Sequence, residues 1–440
     1  WIPTVRMPSA SRDRATRGHS SKTSQRCNLR LFVYTAHLPK MEQLLNFGRH
    51  FAATPPTEAM PPPADKWARN ISCLEHHCSY GSFGFHNNRV FTSDVPIFQR
   101  LMSSCTQVDN PRQADLFLVP YCFGTSSTLG WDHLKKSQRR QEVQRLERYA
   151  SSILSPSSLE HYSNATAPRH LFLYSNDVQF LFGLYPQLGK AVFRSLVVHL
   201  GDDRYLIGPK PGRERQRLFE LPNSLTVPYR VSHWMPAEGT LVARPDAGAK
   251  RFLVVANVNR YKNPFRSRLL KSLQSEAERL NVTDRVKLMS KNMPVADTLD
   301  LIRTSTFCMC PTGDSKGFSA RFYFSILNGC IPVKLDGWRR HLSFNDTAWP
   351  FPSLIDWRRV VIEFPVPFQL FAHDAYTMPI ISRLLAMPLE EIEARLRYIH
   401  RIKHWLAFDD SRLAGAGRDA PAALICELEL RLLGTGPVMR

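Results

Sequence analysis

The stretch CPTGDSKGFSARFYFSILNGCIPVKLDGW, residues 310–338, contains a polar loop, a short apolar helix and a buried strand, in that order. Residues 312–317 include two glycines, whose freedom lets backbone N–H groups approach a ligand closely. Ser319 is a candidate N-cap for a helix that runs to about Asn328, and Gly329 suits the left-handed residue that ends such a helix. The order predicts a parallel α/β sheet that binds a ligand at the carboxyl end of a strand.

The ligand that this stretch favours is an anion. Unpaired N–H groups and the positive end of the helix dipole at Ser319 would attract phosphate, and nearby cationic side chains would add to that attraction. A diphosphate site is therefore predicted from Gly313, Asp314, Ser315, Lys316, Ser319 and Arg321, with Arg266 or Arg268 from another helix start. Asp314 suits an Asx turn better than a catalytic role. The alternative is a surface turn followed by apolar residues that pack the core.

Apolar runs of strand length recur on both sides of this stretch. They span residues 29–35, 114–120, 170–174 and 195–200, and then 251–257, 285–289, 305–310, 330–335 and 359–364. Because the runs are continuous and alternate with helical patterns, they predict parallel sheets buried on both faces. We expect a domain at 27–235 and another at 250–408, with Pro- and Gly-rich connections between them. The helix at 388–408 is expected to cross between the domains.

The two ends of the chain differ in composition from these domains. Residues 1–26 are rich in Ser, Arg and Thr and predict a disordered stem. Residues 409–440 are expected to form a partly ordered C-terminal tail. No run of about 18 apolar residues occurs, so membrane attachment is expected only through an anchor that the sequence does not contain.

The formal net charge of +20 favours an acidic partner, such as a nucleotide-sugar or an acidic polysaccharide. No recurring basic and aromatic stripe is present, so nucleic acid is not an expected partner. Four N-x-S/T sequons predict glycosylation at Asn70, Asn164, Asn281 and Asn345.

Nine cysteines include five within the first 122 residues, at positions 27, 73, 78, 105 and 122. This crowding predicts at least one disulfide there and a secretory compartment. A zinc site at Cys73 and Cys78 is the alternative, but no second ligand pair follows at finger spacing. We therefore expect no metal and no cofactor.

The motif at 310–338 resembles that of the exostosin family of inverting glycosyltransferases, in which a Pro-x-Gly loop, a Ser-x-Arg helix start and a Gly-Cys-Ile-Pro-Val strand follow one another. Weaker resemblances in the same order extend it over roughly residues 27–408. They include LRLFVYTAHLP after Cys27, the segment 91–120, PRHLFLYSND at 168–177, FRSRLL at 265–270, and LDGW at 335–338 with LIDW at 354–357.

This resemblance implies two Rossmann-like domains that face a cleft, the GT-B layout, and residence in the Golgi lumen. It also implies transfer from a nucleotide-sugar, most simply a UDP-sugar, to a glycan or polysaccharide acceptor with inversion at the anomeric centre. A base would take the acceptor's proton, and Asp177 at a predicted strand end is our candidate for it, with a loop cap as the alternative. Homodimers, or heterodimers with another transferase, are compatible with the family.

Phe324 departs from the family pattern, which usually places Asp or Glu there to accept hydrogen bonds from the donor's ribose. Either another group makes this contact, or donor binding is weak, or activity is lost. A non-catalytic subunit that supports a partner transferase, or a glycan-binding protein, is therefore the alternative function. Phe324 itself either faces the donor or packs in the core. Trp234, Trp338 and Trp357 either stack on sugars or pack in the core.

Overall fold

A computed structural model describes sixteen parts of the chain. These are residues 27–35, 93–124, 144, 148, 152, 155, 158–177, 194–200, 223–231, 250–258, 264–290, 293–311, 319–335, 347–364, 379–408 and 419–434. The predicted stem at 1–26, most of the predicted domain boundary at 235–250, and the pair Cys73 and Cys78 lie outside them.

The N-terminal half forms a parallel sheet of six strands in the order β2-β1-β3-β4-β5-β6. The strands are β1 (Arg30–Val33), β2 (Thr106–Gln107), β3 (Leu116–Cys122), β4 (His170–Asp177), β5 (Leu196–Leu200) and β6 (Ser224–Thr226). Helix α1 (Asp94–Ser104) packs on this sheet. All residues of β3 and β5 are buried, as a sheet covered on both faces requires.

The C-terminal half forms a parallel sheet of five strands in the order β11-β10-β9-β7-β8. The strands are β7 (Phe252–Asn257), β8 (Val286–Met289), β9 (Ser305–Pro311), β10 (Ile331–Leu335) and β11 (Ile362–Phe364). The helices are α2 (Pro264–Arg279), α3 (Val295–Arg303), α4 (Ala320–Leu327), α5 (Ile380–Leu385) and α6 (Leu389–Ile402).

These two parallel sheets confirm the predicted α/β class. The chain changes from one sheet to the other between Thr226 and Phe252. Buried apolar residues from both halves belong to one continuous core, and the rings of Tyr229 and Tyr323, one from each half, lie 5.8 Å apart.

A C-terminal helix does cross between the halves, but it is α7 (Ala420–Leu433) and not the segment at 388–408. Glu429 of α7 accepts a hydrogen bond from the backbone N–H of Asn28 at 2.6 Å, beside β1. Glu427 of the same helix accepts one from the hydroxyl of Ser353 at 3.0 Å, in the C-terminal half. Helix α6 instead packs on the C-terminal sheet, where the Tyr398 hydroxyl accepts from the N–H of Asp356 at 2.8 Å.

Within the predicted C-terminal tail at 409–440, residues 420–433 form helix α7. Residues Ala420 to Glu429 are buried without interruption. The start of α7 is well capped, because the Asp419 carboxylate accepts from the N–H of Ala422 at 2.9 Å. Asp419 also pairs with Arg100 of α1, which ties the helix to the N-terminal half.

Two disulfides lie in the described residues. Cys27, just before β1, is bonded to Cys105 at the end of α1, which confirms the expected bridge among the early cysteines. Cys308 of β9 is bonded to Cys330, just before β10, which the sequence did not predict. Three further described cysteines, Cys122, Cys310 and Cys426, are buried and do not belong to these disulfides.

Candidate functional site

The C-terminal sheet reverses its direction of winding between β7 and β9, which are hydrogen-bonded neighbours. The chain leaves β7 through α2 toward β8 on one side, and leaves β9 through α4 toward β10 on the other. Because such crossovers are right-handed, α2 and α4 lie on opposite faces of the sheet and a crevice opens between their N-termini. Open α/β sheets bind ligands at this kind of point.

An arginine lies at the start of each of these two helices. Arg266 is the third residue of α2, and Arg321 is the second residue of α4. Burial, together with the charge of Arg266, lowers the pKa of Arg321 to about 10, while the neighbouring Cys310 opposes this. The two guanidinium groups interact, and each lies beside the positive end of a helix. Together they create a positive potential that would attract an anion.

Ser319 precedes α4 in an extended conformation, with φ −100° and ψ 160°, as an N-cap residue should. Its carbonyl accepts from the N–H of Phe322 at 2.9 Å, but its hydroxyl makes no capping bond. The hydroxyl oxygen is buried, and it has no hydrogen-bond partner among the described residues. A buried hydroxyl of this kind at a helix N-terminus is available to bind an anion, so Ser319 remains a candidate ligand contact, whereas the predicted side-chain cap is absent.

A narrow recess lies beside Arg321, with a volume of about 10 Å³, which is close to what one water molecule needs. Its lining residues come from β7, α3, β9 and α4: Val255, Asn257, Thr298, Leu301, Ile302, Cys308, Met309, Arg321 and Ser325. Asn257 donates to the hydroxyl of Thr298 at 3.2 Å, and Ser325 donates to the carbonyl of Arg321 at 2.8 Å. A nucleotide is too large for this space and would lie at its mouth.

Asn257 and Thr298 were missed from the sequence, although Asn257 gives a usable signal. It is a polar residue at the carboxyl end of an otherwise apolar strand, which is where ligand contacts of parallel sheets lie. Cys310, at the end of β9, was also missed as a neighbour of this site. Burial raises the pKa of its thiol to about 11, so the thiol is protonated at neutral pH and is not a nucleophile.

Of the two possibilities that the sequence left open for Phe324, the structure favours packing in the core over contact with a donor. Its side chain is 5% exposed and belongs to the continuous apolar core, and it does not line the recess. Its carbonyl accepts from both the backbone N–H and the side-chain amide of Asn328, at 3.2 and 2.8 Å. Trp357 is likewise a core residue, because its indole N–H is buried and donates to the carbonyl of Pro350 at 2.7 Å.

The other predicted residues are only partly covered by the structure. Arg268 is half-buried on α2. Gly313, Asp314, Ser315 and Lys316 lie outside the described residues, as do Trp234 and Trp338. Asp177 is the last residue of β4, where its backbone is in register with Leu200, and its side chain lies outside the description. The carboxyl end of the N-terminal sheet is thus where the sequence placed the candidate base.

A second polar group near that end, His199 of β5, was not predicted. It is 2% exposed, and its Nδ1 lies 3.0 Å from the carbonyl oxygen of Leu200. Burial lowers the pKa of His199 to about 4, so the ring is neutral at physiological pH. Because Nδ1 donates its proton to that carbonyl, Nε2 carries a lone pair, which has no hydrogen-bond partner in the part of the chain that the structure describes.

Two of the four sequons lie in the described residues, and both asparagines are exposed. Asn164 lies in the segment before β4, and Asn281 follows α2 in the left-handed region with φ 55°. Asn70 and Asn345 lie outside. In the described part of the chain, no group of three or more His, Cys, Asp or Glu could hold a metal ion. No helix in that same part is long and apolar enough to span a membrane.

Residues 191–368 match the family described as Exostosin GT47 domain, a segment that contains both arginines and the whole C-terminal sheet. No curated protein sequence matches the chain.

Solved structures show remote likenesses. A UDP-N-acetylglucosamine 2-epimerase from Listeria monocytogenes is 8% identical over 79% of this chain and 94% of its own, with a TM-score of 0.35. S. aureus MnaA in a UDP co-structure is 10% identical over 80% of this chain and 96% of its own, with a TM-score of 0.33. Anabaena Alr3699/HepE in complex with UDP is 11% identical over 76% of this chain and 94% of its own, with a TM-score of 0.32. Likeness at this level decides neither fold nor function.

Proposed function

We propose that the protein transfers a sugar from a UDP-sugar to a glycan or polysaccharide acceptor with inversion, and the match of residues 191–368 to the Exostosin GT47 domain supports this proposal. The observation that carries this proposal is the pair Arg266 and Arg321 at the starts of two helices that flank the switch point. That arrangement presents two guanidinium groups and two helix N-termini to one ligand. A diphosphate is the group whose charge and oxygen number suit it.

In this mechanism the donor's diphosphate lies across the crevice between α2 and α4. Arg321 and Arg266 stabilise the negative charge that develops on the leaving diphosphate, and the Ser319 hydroxyl donates to one of its oxygens. An acceptor hydroxyl attacks the anomeric carbon from the opposite side while a base removes its proton. Asp177, at the carboxyl end of β4, is the base that we propose.

The cysteines and the exposed sequons support a proposal about compartment. A buried disulfide in each half, and exposed Asn164 and Asn281, suit a protein that folds in the secretory pathway. We place it in the Golgi lumen, where glycan acceptors are extended, and co-localisation with a Golgi marker in the source cells is the test.

The direct test of the function is calorimetry with UDP on three arginine variants. Arg321→Ala should weaken UDP binding about ten-fold or more, because a charge-assisted hydrogen bond contributes roughly 1.5–3 kcal/mol. Arg266→Ala should weaken it in the same direction. Arg285→Ala removes the same charge from an exposed position just before β8 and should leave UDP affinity unchanged.

The variant Asp177→Asn separates UDP binding from sugar transfer. This variant should bind UDP as the parent protein does and lose sugar transfer. A folded Arg321→Ala variant with full UDP affinity would show that the crevice does not bind the diphosphate. The protein would then fit the alternative of a non-catalytic or glycan-binding subunit.

A further inference from the structure

The amino ends of the strands in the C-terminal sheet form a surface that is rich in cations. All five strands are parallel, so their amino ends share one edge. Strand β7 has six residues, at about 3.3 Å each, so this edge lies roughly 20 Å from the crevice at the carboxyl edge. We call it the basic edge and define it by five side chains: Arg251, Arg285, Lys287, Arg359 and Arg401.

Two of these arginines are held against one buried ring. The guanidinium carbon of Arg359, which ends the short helical turn before β11, lies 4.2 Å from the centre of the Tyr398 ring. The guanidinium carbon of Arg401, in the last turn of α6, lies 4.9 Å from the same centre. The ring is itself fixed, because the Tyr398 hydroxyl accepts from the N–H of Asp356 at 2.8 Å. Cation–π contact therefore restrains two charged side chains that both remain exposed.

A second pair of cations lies against Phe252, the first residue of β7. The guanidinium carbon of Arg251 is 5.0 Å from the centre of this ring, and the ammonium nitrogen of Lys287 is 4.8 Å from it. Strands β7 and β11 are three strand spacings apart in the sheet, or about 14 Å. The basic edge thus presents two restrained cation pairs, with exposed Arg285 just before β8, although these residues come from distant segments of the sequence.

The charges of the basic edge are not neutralised within the described residues. None of its five side chains belongs to an ion pair there. The acidic residues next to it in the sequence, Asp284 and Asp356, are exposed, and the Asp356 carboxylate accepts from the N–H of Arg358 at 3.2 Å. By contrast, Arg30 at the start of β1 is paired with Asp115 at 2.7 Å. An anion that reaches the basic edge would meet positioned cations with donors still to offer.

We infer that the basic edge binds a polyanionic polysaccharide, whose carboxylate or sulfate groups lie on the two cation pairs. A planar guanidinium group suits either anion, because two of its N–H groups can reach two oxygens at once. The rings of Phe252 and Tyr398 are only 6% and 5% exposed, so they are not free to stack on bases as the aromatic residues of single-strand-binding proteins do. That the polymer is a glycan rests on the proposed function, whereas the recognition of anions rests on the basic edge itself.

The surroundings of the basic edge favour a polysaccharide over an anionic membrane. Surfaces that bind membranes combine cations with apolar side chains that enter the lipid. The large apolar side chains that are exposed in the described part of the chain, Leu385 and Leu389, lie at the connection from α5 to α6. Leu389 begins α6 and Arg401 is near its end, so the two are about 18 Å apart along the helix. A glycan at the basic edge would be anchored far from the crevice, away from the reacting sugar.

The test measures binding of the whole chain to three immobilised polymers, which are polygalacturonate, dextran sulfate and neutral dextran. Two double variants each remove one cation pair. One is Arg359→Gln with Arg401→Gln, and the other is Arg251→Gln with Lys287→Gln. Glutamine keeps much of the side-chain length and removes the charge. Each substitution is also made singly, so the comparison stands if a double variant does not fold.

The matched control is Lys271→Gln with Arg383→Gln. Both residues are exposed, on α2 and α5, so this variant loses the same number of charges elsewhere on the C-terminal half. Arg383 also lies against a ring, with its guanidinium carbon 4.7 Å from the centre of Phe364, the last residue of β11. The control therefore distinguishes the basic edge from total charge and from cation–π packing as such.

We expect each edge variant to bind the two polyanions about five-fold more weakly than the parent does, and the control to bind them as the parent does. Binding by the parent should weaken as salt is added, and neutral dextran should not bind. The polyanion that binds more tightly identifies carboxylate or sulfate as the preferred group. Unchanged affinity in the edge variants, or an equal loss in the control, would overturn the inference.

Two further probes separate this inference from its alternatives. Phosphatidylserine vesicles that bind the parent when neither polyanion does would replace the polysaccharide by a membrane. Calorimetry with UDP should give the parent affinity in every variant, since the basic edge lies away from the crevice. A parent that binds the polyanions but not UDP would overturn the proposed donor alone. A parent that binds UDP and neither polyanion would overturn the role of the basic edge alone.

Discussion

Residue 324 determines whether the ribose of a donor could be held by α4. The ring of Phe324 is buried in the apolar core, so a carboxylate there would be buried without a partner. We expect Phe324→Glu to lower the free energy of unfolding by about 3 kcal/mol or more and to bring no gain in UDP affinity. Chemical denaturation and calorimetry measure the two effects.

Phe324→Leu is the matched control for this change, because it keeps the position apolar and should cost less than half as much stability. Tighter UDP binding by a stable Phe324→Glu variant would mean that residue 324 faces the donor after all. The sequence left both possibilities open, since helical spacing puts residues 321 and 324 near each other but does not say which of them the sheet covers.

Lys250 provides a residue-scale prediction about pH. Its ammonium group donates to the carbonyls of Arg303 and Gly329, at 2.6 and 2.9 Å, near the ends of α3 and α4. Burial lowers the pKa of Lys250 from 10.5 to about 8. The unfolded chain therefore binds this proton more tightly than the folded protein does. As a result, the buried charge lowers the free energy of unfolding by its full amount below pH 8, and this penalty disappears as the pH rises toward 10.5.

The measurement is the difference in unfolding free energy between the parent protein and Lys250→Met. Between pH 8 and pH 10, the free energy of unfolding of the parent should rise by about 1–2 kcal/mol relative to that of Lys250→Met. Lys271→Met, at an exposed position on α2, is the control and should show no such trend. A constant difference over this range would mean that Lys250 titrates normally in the folded state.

At the scale of elements, the sequence predicted nine of the eleven strands in the two sheets, because each of those nine is a continuous apolar run between polar turns; the short strands β2 and β6 are not apolar runs and were missed. The helix and strand that follow residue 318 were also placed correctly, down to Gly329 in its left-handed conformation. These features are local, so spacing and turn chemistry determine them.

Features that depend on which elements become neighbours could not be predicted in this way. To predict the disulfide between Cys308 and Cys330, one must know that β9 and β10 are neighbours and that Pro332 lies opposite Cys308. Helix α7 was missed because it is buried on every side, including Glu427 and Glu429, and so shows no apolar stripe. The two glutamates look exposed in the sequence and are buried only because backbone and side-chain donors from both halves meet them.

At the scale of the whole molecule, α7 makes a prediction about truncation. A chain that ends at Phe408 would lose the buried side chains of Leu424, Ile425 and Leu428, each worth about 1.5–3 kcal/mol. It would also leave the Asn28 N–H and Arg100 without their carboxylates. We expect a free energy of unfolding lower by about 5 kcal/mol or more, with both halves affected, as thermal unfolding followed by hydrogen exchange would show.

Removal of residues 435–440 alone is the control for this truncation and should leave the melting temperature unchanged. If the chain that ends at Phe408 melts like the parent protein, α7 does not support the fold. Loss of protection confined to the C-terminal half would show that the contacts to Asn28 and Arg100 contribute little.

The position of α7 also affects the order in which the protein can be completed during synthesis. A ribosome makes the N-terminal strands first, yet α1 and Asn28, just before β1, contact a helix that follows both sheets in the chain. The nascent N-terminal half must therefore expose part of its apolar surface until α7 has been synthesised. Its final closure must wait for that helix, and a chain released before α7 would carry the exposed surface to the quality-control machinery.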